Sequence, residues 1–137
     1  MNYKYLIIFI IRFLFFCTSY CIAQNSGYYV DFKTAFKYPD SVKVISIDCM
    51  HSNELQTDGC KELPENIDVF QNLTELYLSE THIKKIPENI TKLKNLKTII
   101  LHGNISLDYK NELSKLLKLD SLIYLGLPDS YLNIHYR

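Results

Sequence analysis

The chain has 137 residues, with 15 Lys+Arg against 15 Asp+Glu and a formal net charge of zero. That length holds one modest domain, and a neutral surface with no basic run longer than Lys84-Lys85 gives no electrostatic footing for nucleic acid or an anionic membrane. His51, His82, His102 and His135 are scattered, and no HExxH, GxSxG or phosphate-cradling glycine loop is present, so no enzyme activity and no cofactor is predicted.

The chain opens with Lys4, continues through an apolar run over 6–16 broken by Arg12, and reaches Cys21-Ile22-Ala23. A charged start, an apolar middle and small residues at both ends of a tripeptide describe a secretory signal over residues 1–23, cut before Gln24. Arg12 costs about 2.5–3.5 kcal/mol at the centre of an inserted segment. The run that it interrupts is too short to span a bilayer. Cleavage is therefore preferred to an uncleaved anchor. Lipid attachment at Cys17 or Cys21 is disfavoured by the bulky Phe16 and Tyr20 before them. Loss of Lys4 and Arg12 leaves 13 basic and 15 acidic residues, a charge of −2. The expected location is exported (periplasmic, extracellular or cell surface), and a lysine- and isoleucine-rich composition suggests a bacterial product.

Residues 24–41 are expected to hold an N-terminal capping helix. Phe32, Ala35 and Phe36 share one face at helical spacing, and Pro39 ends the helix. Next, "VKVISIDCM" places Ile45 and Ile47 on either side of Ser46, which is strand periodicity. The stretch "HSNELQTDGCK" is an insertion that carries Cys60. In an exported protein Cys49 and Cys60 either close a disulfide, worth about 2–3 kcal/mol for a loop of about 12 residues, or remain two thiols. His51 and Asp58 stand near enough in sequence to complete a zinc set with them. An oxidising compartment favours the bridge instead, so no metal is predicted.

The chain then writes one phrase twice, "LPENIDVFQNL" over 63–73 and "IPENITKLKNL" over 86–96. Each phrase leads into a similar segment. "LTELYLSETHI" has Leu73, Leu76, Leu78, Thr81 and Ile83 at positions one, four, six, nine and eleven. "LKTIILHGNIS" has Leu96, Ile99, Leu101 and Asn104 at the first four of those slots, and "LIYLGLPDSYL" has Leu122, Leu125, Leu127, Ser130 and Leu132. Upstream, Val42, Ile45, Ile47 and Met50 fit the same frame. Units thus begin near 42, 73, 96 and 122, separated by 31, 23 and 26 residues. Ile86, Ile90 and Leu93 are expected to face inward between strands, where Pro87 forbids a further one. Residues 108–118 read as a helix, with Leu113, Leu116 and Leu117 at helical spacing. Asp108 at its start and Lys115 and Lys118 at its end suit the helix dipole. After Leu132, Tyr131, Ile134 and Tyr136 either fold over the last unit or leave that edge to a partner.

These positions resemble the leucine-rich repeat, L-x-x-L-x-L-x-x-N-x-L, over residues 42–132. The Pro-Glu-Asn-Ile phrase resembles the variable half of its 23-residue subtype. The resemblance implies an α/β fold: a short solenoid with a parallel β-sheet on its concave side and helices and turns on its convex side. Each turn of such a coil buries the apolar edge of the next. An asparagine at position nine can satisfy the backbone of neighbouring turns. Only Asn104 fills that slot, with Met50, Thr81 and Ser130 in its place elsewhere, so a less regular stack is expected. The helix over 24–41 resembles the short helix that often precedes the first strand in secreted repeat proteins.

In this family the ligand usually meets the concave face, at positions three, five, seven and eight of each unit. The expected ligand-binding residues are Glu75, Tyr77, Glu80, Thr98, Ile100, His102 and Tyr124. Tyr77, Ile100 and Tyr124 make an apolar diagonal with Asp48, Glu75, Glu80 and Asp129 around it, which suits a protein or peptide partner. Strand propensity alone accounts for the same residues more blandly. The function expected is therefore a protein-interaction module without catalysis. The alternative is a structural protein that self-associates through exposed solenoid ends. Asn72-Leu-Thr74, Asn89-Ile-Thr91 and Asn104-Ile-Ser106 match the glycan acceptor triplet, but no glycan is predicted on a bacterial product.

Overall fold

The computed structural model describes residues 26–49 and 61–128. Residues 1–25 with the predicted signal, residues 50–60 with Met50 and Cys60, and residues 129–137 lie outside them. Five short strands, β1 (Tyr28–Tyr29), β2 (Val44–Ser46), β3 (Glu75–Tyr77), β4 (Thr98–Ile100) and β5 (Tyr124–Gly126), form one sheet in that order. Every neighbouring pair is parallel. The fold is therefore α/β, with a five-stranded parallel sheet and few helices. Parallel neighbours require the chain to cross back between strands. Here the returns contain helix α1 (Phe32–Ala35), helix α2 (Tyr109–Leu116), and 3-10 turns at Pro39–Ser41, Ile67–Val69 and Glu88–Lys92.

The register puts chemically alike residues side by side. Tyr29, Ile45, Leu76, Ile99 and Leu125 are successive partners along one row. Ile45, Leu76 and Ile99 are fully buried there, while Leu125 on the last strand is only partly covered. Strand side chains alternate between faces, so this inward row leaves Val44, Ser46, Glu75, Tyr77, Thr98 and Ile100 outward, each half-buried. Ile47, Leu78, Leu101 and Leu127 make a second buried row just past the strands. Opposite the sheet, Leu63, Ile67 and Phe70, then Ile86, Ile90 and Leu93, then Leu107, Leu113 and Leu116 complete the core. Full burial of one such side chain contributes roughly 1.5–3 kcal/mol. Among the described residues the core is one cluster that runs along the sheet.

Shared carbonyls join the strands at their entrances. Lys43 O accepts from the amides of Thr74 (2.8 Å) and Glu75 (3.2 Å), Thr74 O from Lys97 (2.8 Å) and Thr98 (3.1 Å), and Lys97 O from Ile123 (2.8 Å) and Tyr124 (2.9 Å). Past the strands Asn104, fully buried, ties two units together. Its Nδ2 donates to Leu78 O (2.6 Å) and Leu101 O (3.1 Å), while its Oδ1 accepts from Thr81 Oγ1 (2.9 Å) and Ile83 N (3.2 Å). Thr81 is also fully buried and fills the matching slot one unit earlier with a single hydroxyl. One amide thus satisfies groups that burial would otherwise leave orphaned.

A further set of asparagines on the returns was not legible as such. Asn72 Nδ2 donates to Asp40 O at 2.8 Å, Asn89 Nδ2 to Glu65 O at 2.7 Å, and Asn95 Nδ2 to Gln71 O at 2.9 Å. Each reaches back to the carbonyl of the preceding unit. Helix α2 docks by a different device. Glu112 Oε2 accepts from Ile86 N at 2.8 Å, and Lys115 Nζ donates to Ile86 O at 2.6 Å and to Glu112 at 2.8 Å. Glu88 lies 3.4 Å from the same ammonium. Burial pulls the Lys115 ammonium toward release of its proton. The hydrogen bonds and fields of Glu112 and Glu88 outweigh burial, and its pKa stands above the usual lysine value.

The described N-terminal region differs from a simple helix. Helix α1 has only four residues, capped by Asp31, whose Oδ1 accepts from Thr34 N at 2.6 Å. Before it, β1 adds a strand that the sequence reading lacked; two residues are too few to show alternation. Phe32 and Ala35 are buried, and Phe36 and Phe32 lie 4.8 Å and 6.3 Å from the Phe70 ring by centroid. At the other end α2 is shorter than the expected 108–118. Asp108 caps it through Oδ1, which accepts from Asn111 N at 3.3 Å. Leu113 and Leu116 are buried, but Leu117, past its last turn, is 63% exposed and does not share their inward face.

Candidate binding face

The outward rows of the sheet gather five of the seven expected binding residues on strands. Tyr28, Val44, Glu75, Thr98 and Tyr124 are successive partners in one row, and Ser46, Tyr77, Ile100 and Gly126 in the next. Glu80 and His102 lie past their strands, joined by the Glu80 amide donating to His102 O at 2.8 Å. Tyr28 is 48% exposed and Tyr124 56%. Tyr28 enters this face only because β1 exists, and the run Tyr28-Tyr29-Val30 was the signal for it.

Local geometry fixes several of these side chains. Tyr77 donates its hydroxyl to Glu75 Oε2 at 2.5 Å, across one strand residue. That hydrogen bond, with partial burial, the charge of Glu75 and the neighbouring Tyr28 phenol, raises the Tyr77 pKa above the usual phenol value. Gly126 points outward yet is buried. A Cβ there would fall 2.6 Å from Ile100 Cδ1 and 3.2 Å from His102 Nε2, so both side chains lean over the last strand. In the same way Glu80 leans over Gly103. Glu80 and Gly103 occupy the same slot of successive units, and both have left-handed backbone, φ 56° and 72°. Glycine adopts that conformation freely, whereas a residue with a Cβ pays about 1–2 kcal/mol. His82, at φ 56°, is a second such residue two positions on.

Cys49, just past β2, is disulfide-bonded. Its expected partner Cys60 lies outside the described residues, as do His51, Asp58 and Asp129. Among the described residues no three His, Cys, Asp or Glu side chains gather as metal ligands, and no helix is long and apolar enough to cross a membrane. What the face offers is aromatic and aliphatic surface with carboxylates beside it. Compared with known proteins, the chain matches no family model and no curated relative.

Proposed function

We propose that this chain is a short exported solenoid of the leucine-rich-repeat kind, and that it binds a protein or peptide on the concave side of its sheet without catalysing a reaction. The observation that carries the reading is the outward face. Tyr77, Ile100 and Tyr124 stand on three adjoining strands and Tyr28 on the first strand of the same sheet, with Glu75 on the strand of Tyr77 and Glu80 just past it. Aromatic anchors with a polar surround are the composition that concentrates binding energy in protein interfaces. A rigid sheet presents them at little entropic cost. The disulfide at Cys49 supports export, since such bonds persist in oxidising compartments. The test is a pull-down from the secreted fraction with wild-type protein, Tyr77→Ala and Tyr124→Ala. A partner retained by wild type and lost by both variants is expected; equal capture by all three would count heavily against this face.

Self-association is the second reading, and one feature favours it. Leu117, Ile123 and Tyr124 are 63%, 80% and 56% exposed beside the last strand. With Leu116, Leu119, Leu122 and Leu125 they line an open groove of about 480 Å³. Light scattering across a hundredfold dilution separates the readings. The binding-module reading expects constant mass, and the assembly reading expects mass that rises with concentration.

A further inference from the structure

Resting on that reading of the face, we propose that its partner is an extended segment bearing lysine or arginine, with one cationic group seated at Glu75 against the ring of Tyr77. The first argument is where the charges are compensated. On the far side three acids meet lysines: Asp68 with Lys92 at 3.2 Å, Glu112 with Lys115 at 2.8 Å, and Glu88 with Lys115 at 3.4 Å, while Glu62, Glu65 and Asp120 make no such pair among the described residues. Glu75 and Glu80 have no lysine partner among the described residues, and no described lysine occupies an outward strand position. Lys43 and Lys97 come nearest, one residue before their strands, and neither ion-pairs with Glu75. Among the described residues the outward strand positions therefore carry the Glu75 carboxylate and no lysine or arginine, which is complementarity toward a cationic partner.

The second argument is local. The Glu75 carboxylate is half-buried and held by the Tyr77 hydroxyl at Oε2, which leaves Oε1 to accept from a ligand. Tyr77 stands beside it, and Tyr28 lies two strands away in the row of Glu75, across Val44. A carboxylate beside an aromatic ring binds ammonium or guanidinium by charge-assisted hydrogen bonding and by cation–π attraction together. Glu80 adds a point of the same sign at a slot whose backbone favours glycine. Its carboxylate is carried there against the backbone preference and contributes no described ion pair that would offset the strain. From Tyr28 to Tyr124 the row crosses four strand intervals, about 19 Å at about 4.8 Å each, or about six residues of extended chain.

The experiment is fluorescence anisotropy with labelled eight-residue peptides of one uncharged backbone carrying three Lys, three Arg, three Glu or three Ser. The full exported chain, oxidised at its disulfide, is titrated against each in low and high salt. Lysine and arginine peptides are expected to bind, to weaken several-fold in high salt, and to be about tenfold weaker with Glu75→Gln. That variant keeps a side-chain oxygen for the Tyr77 hydroxyl, so its fold is preserved. Glu80→Gly is expected to weaken the basic peptides several-fold while raising the melting temperature, a combination no loss of folding produces. If the basic peptides bind no better than the serine peptide, or if Glu75→Gln leaves them unchanged, the inference is overturned. Should serine or glutamate peptides bind and be lost with Tyr77→Ala, the face remains a binding site and only its proposed charge preference falls. If no peptide binds, the inference falls, and the pull-down alone decides the broader reading.

Discussion

At its first strand the sheet is closed by protein: Phe32 is 2% exposed, Ala35 and Phe70 are fully buried, and the Phe36 ring lies 4.8 Å from that of Phe70. At its last strand Ile123 is 80% exposed and Leu125 only partly covered, with Leu117 beside them. The last strand belongs to a repeat unit whereas the first precedes the repeats, and among the described residues the first is the better covered. An inward leucine is worth its full burial only when a further unit or a cap lies against it. The middle of the stack should therefore dominate stability, and the last described strand should contribute least.

Truncation on the central row breaks this comparison most directly. Leu76→Ala, with neighbours on both sides, is expected to lose about 3–5 kcal/mol in urea unfolding, whereas Leu125→Ala should lose about 1 kcal/mol. Equal losses would mean that the last strand is as well covered as the third. Next in size is Asn104→Ala, which leaves buried Ile83 N without its acceptor and takes one of two donors from Leu78 O. It should lose about 2–3 kcal/mol by thermal unfolding. The Thr81→Val change one unit earlier should lose less, since Thr81 has a single hydroxyl hydrogen to share between Leu78 O and Asn104 Oδ1.

A smaller effect belongs to the docking of α2. The folded Lys115 pKa lies above its unfolded value, so the stabilisation is fully present below the unfolded value and fades as pH rises through the folded one. Stability measured from pH 8 to pH 12 should therefore fall more steeply for wild type than for Lys115→Met, by about 1 kcal/mol at most for a pair so near the surface. Smallest of all, Ile123→Lys at the open end should change stability by no more than about 0.5 kcal/mol. Its value lies in sharpening the contrast, because it removes any concentration dependence of mass while leaving the fold intact.

Much of this arrangement was readable before any coordinates. Leu76 and Leu78 around Tyr77, or Ile99 and Leu101 around Ile100, declare a strand with one face inside, because period two leaves no other assignment. Helix α2 declared itself through Asp108, Leu113 and Leu116. Other features depend on neighbours that a local pattern does not contain. Tyr28–Tyr29 becomes a strand only because Val44–Ile45 lies beside it, 16 residues later. Leu117 kept helical spacing after the helix had ended. Asn72 and Asn89 looked like acceptor triplets, whereas their amides serve carbonyls of the preceding unit, a role set by stacking. Of the face, Glu75, Tyr77, Thr98, Ile100 and Tyr124 were legible as the outward repeat positions that the resemblance implies. The strain at Glu80 was not, though Gly103 in the same slot hinted at it.

Amide hydrogen exchange tests most directly the claim that neighbouring units share one sheet and one core. The amides of Leu78 and Leu101 donate to Ile100 O at 2.9 Å and Gly126 O at 2.8 Å, each across to the following strand. Both should be strongly protected, and both should lose protection together when Leu76→Ala weakens the middle of the stack. Rapid exchange at Leu101 in wild type, or protection at Leu101 that ignores Leu76→Ala, would contradict the account.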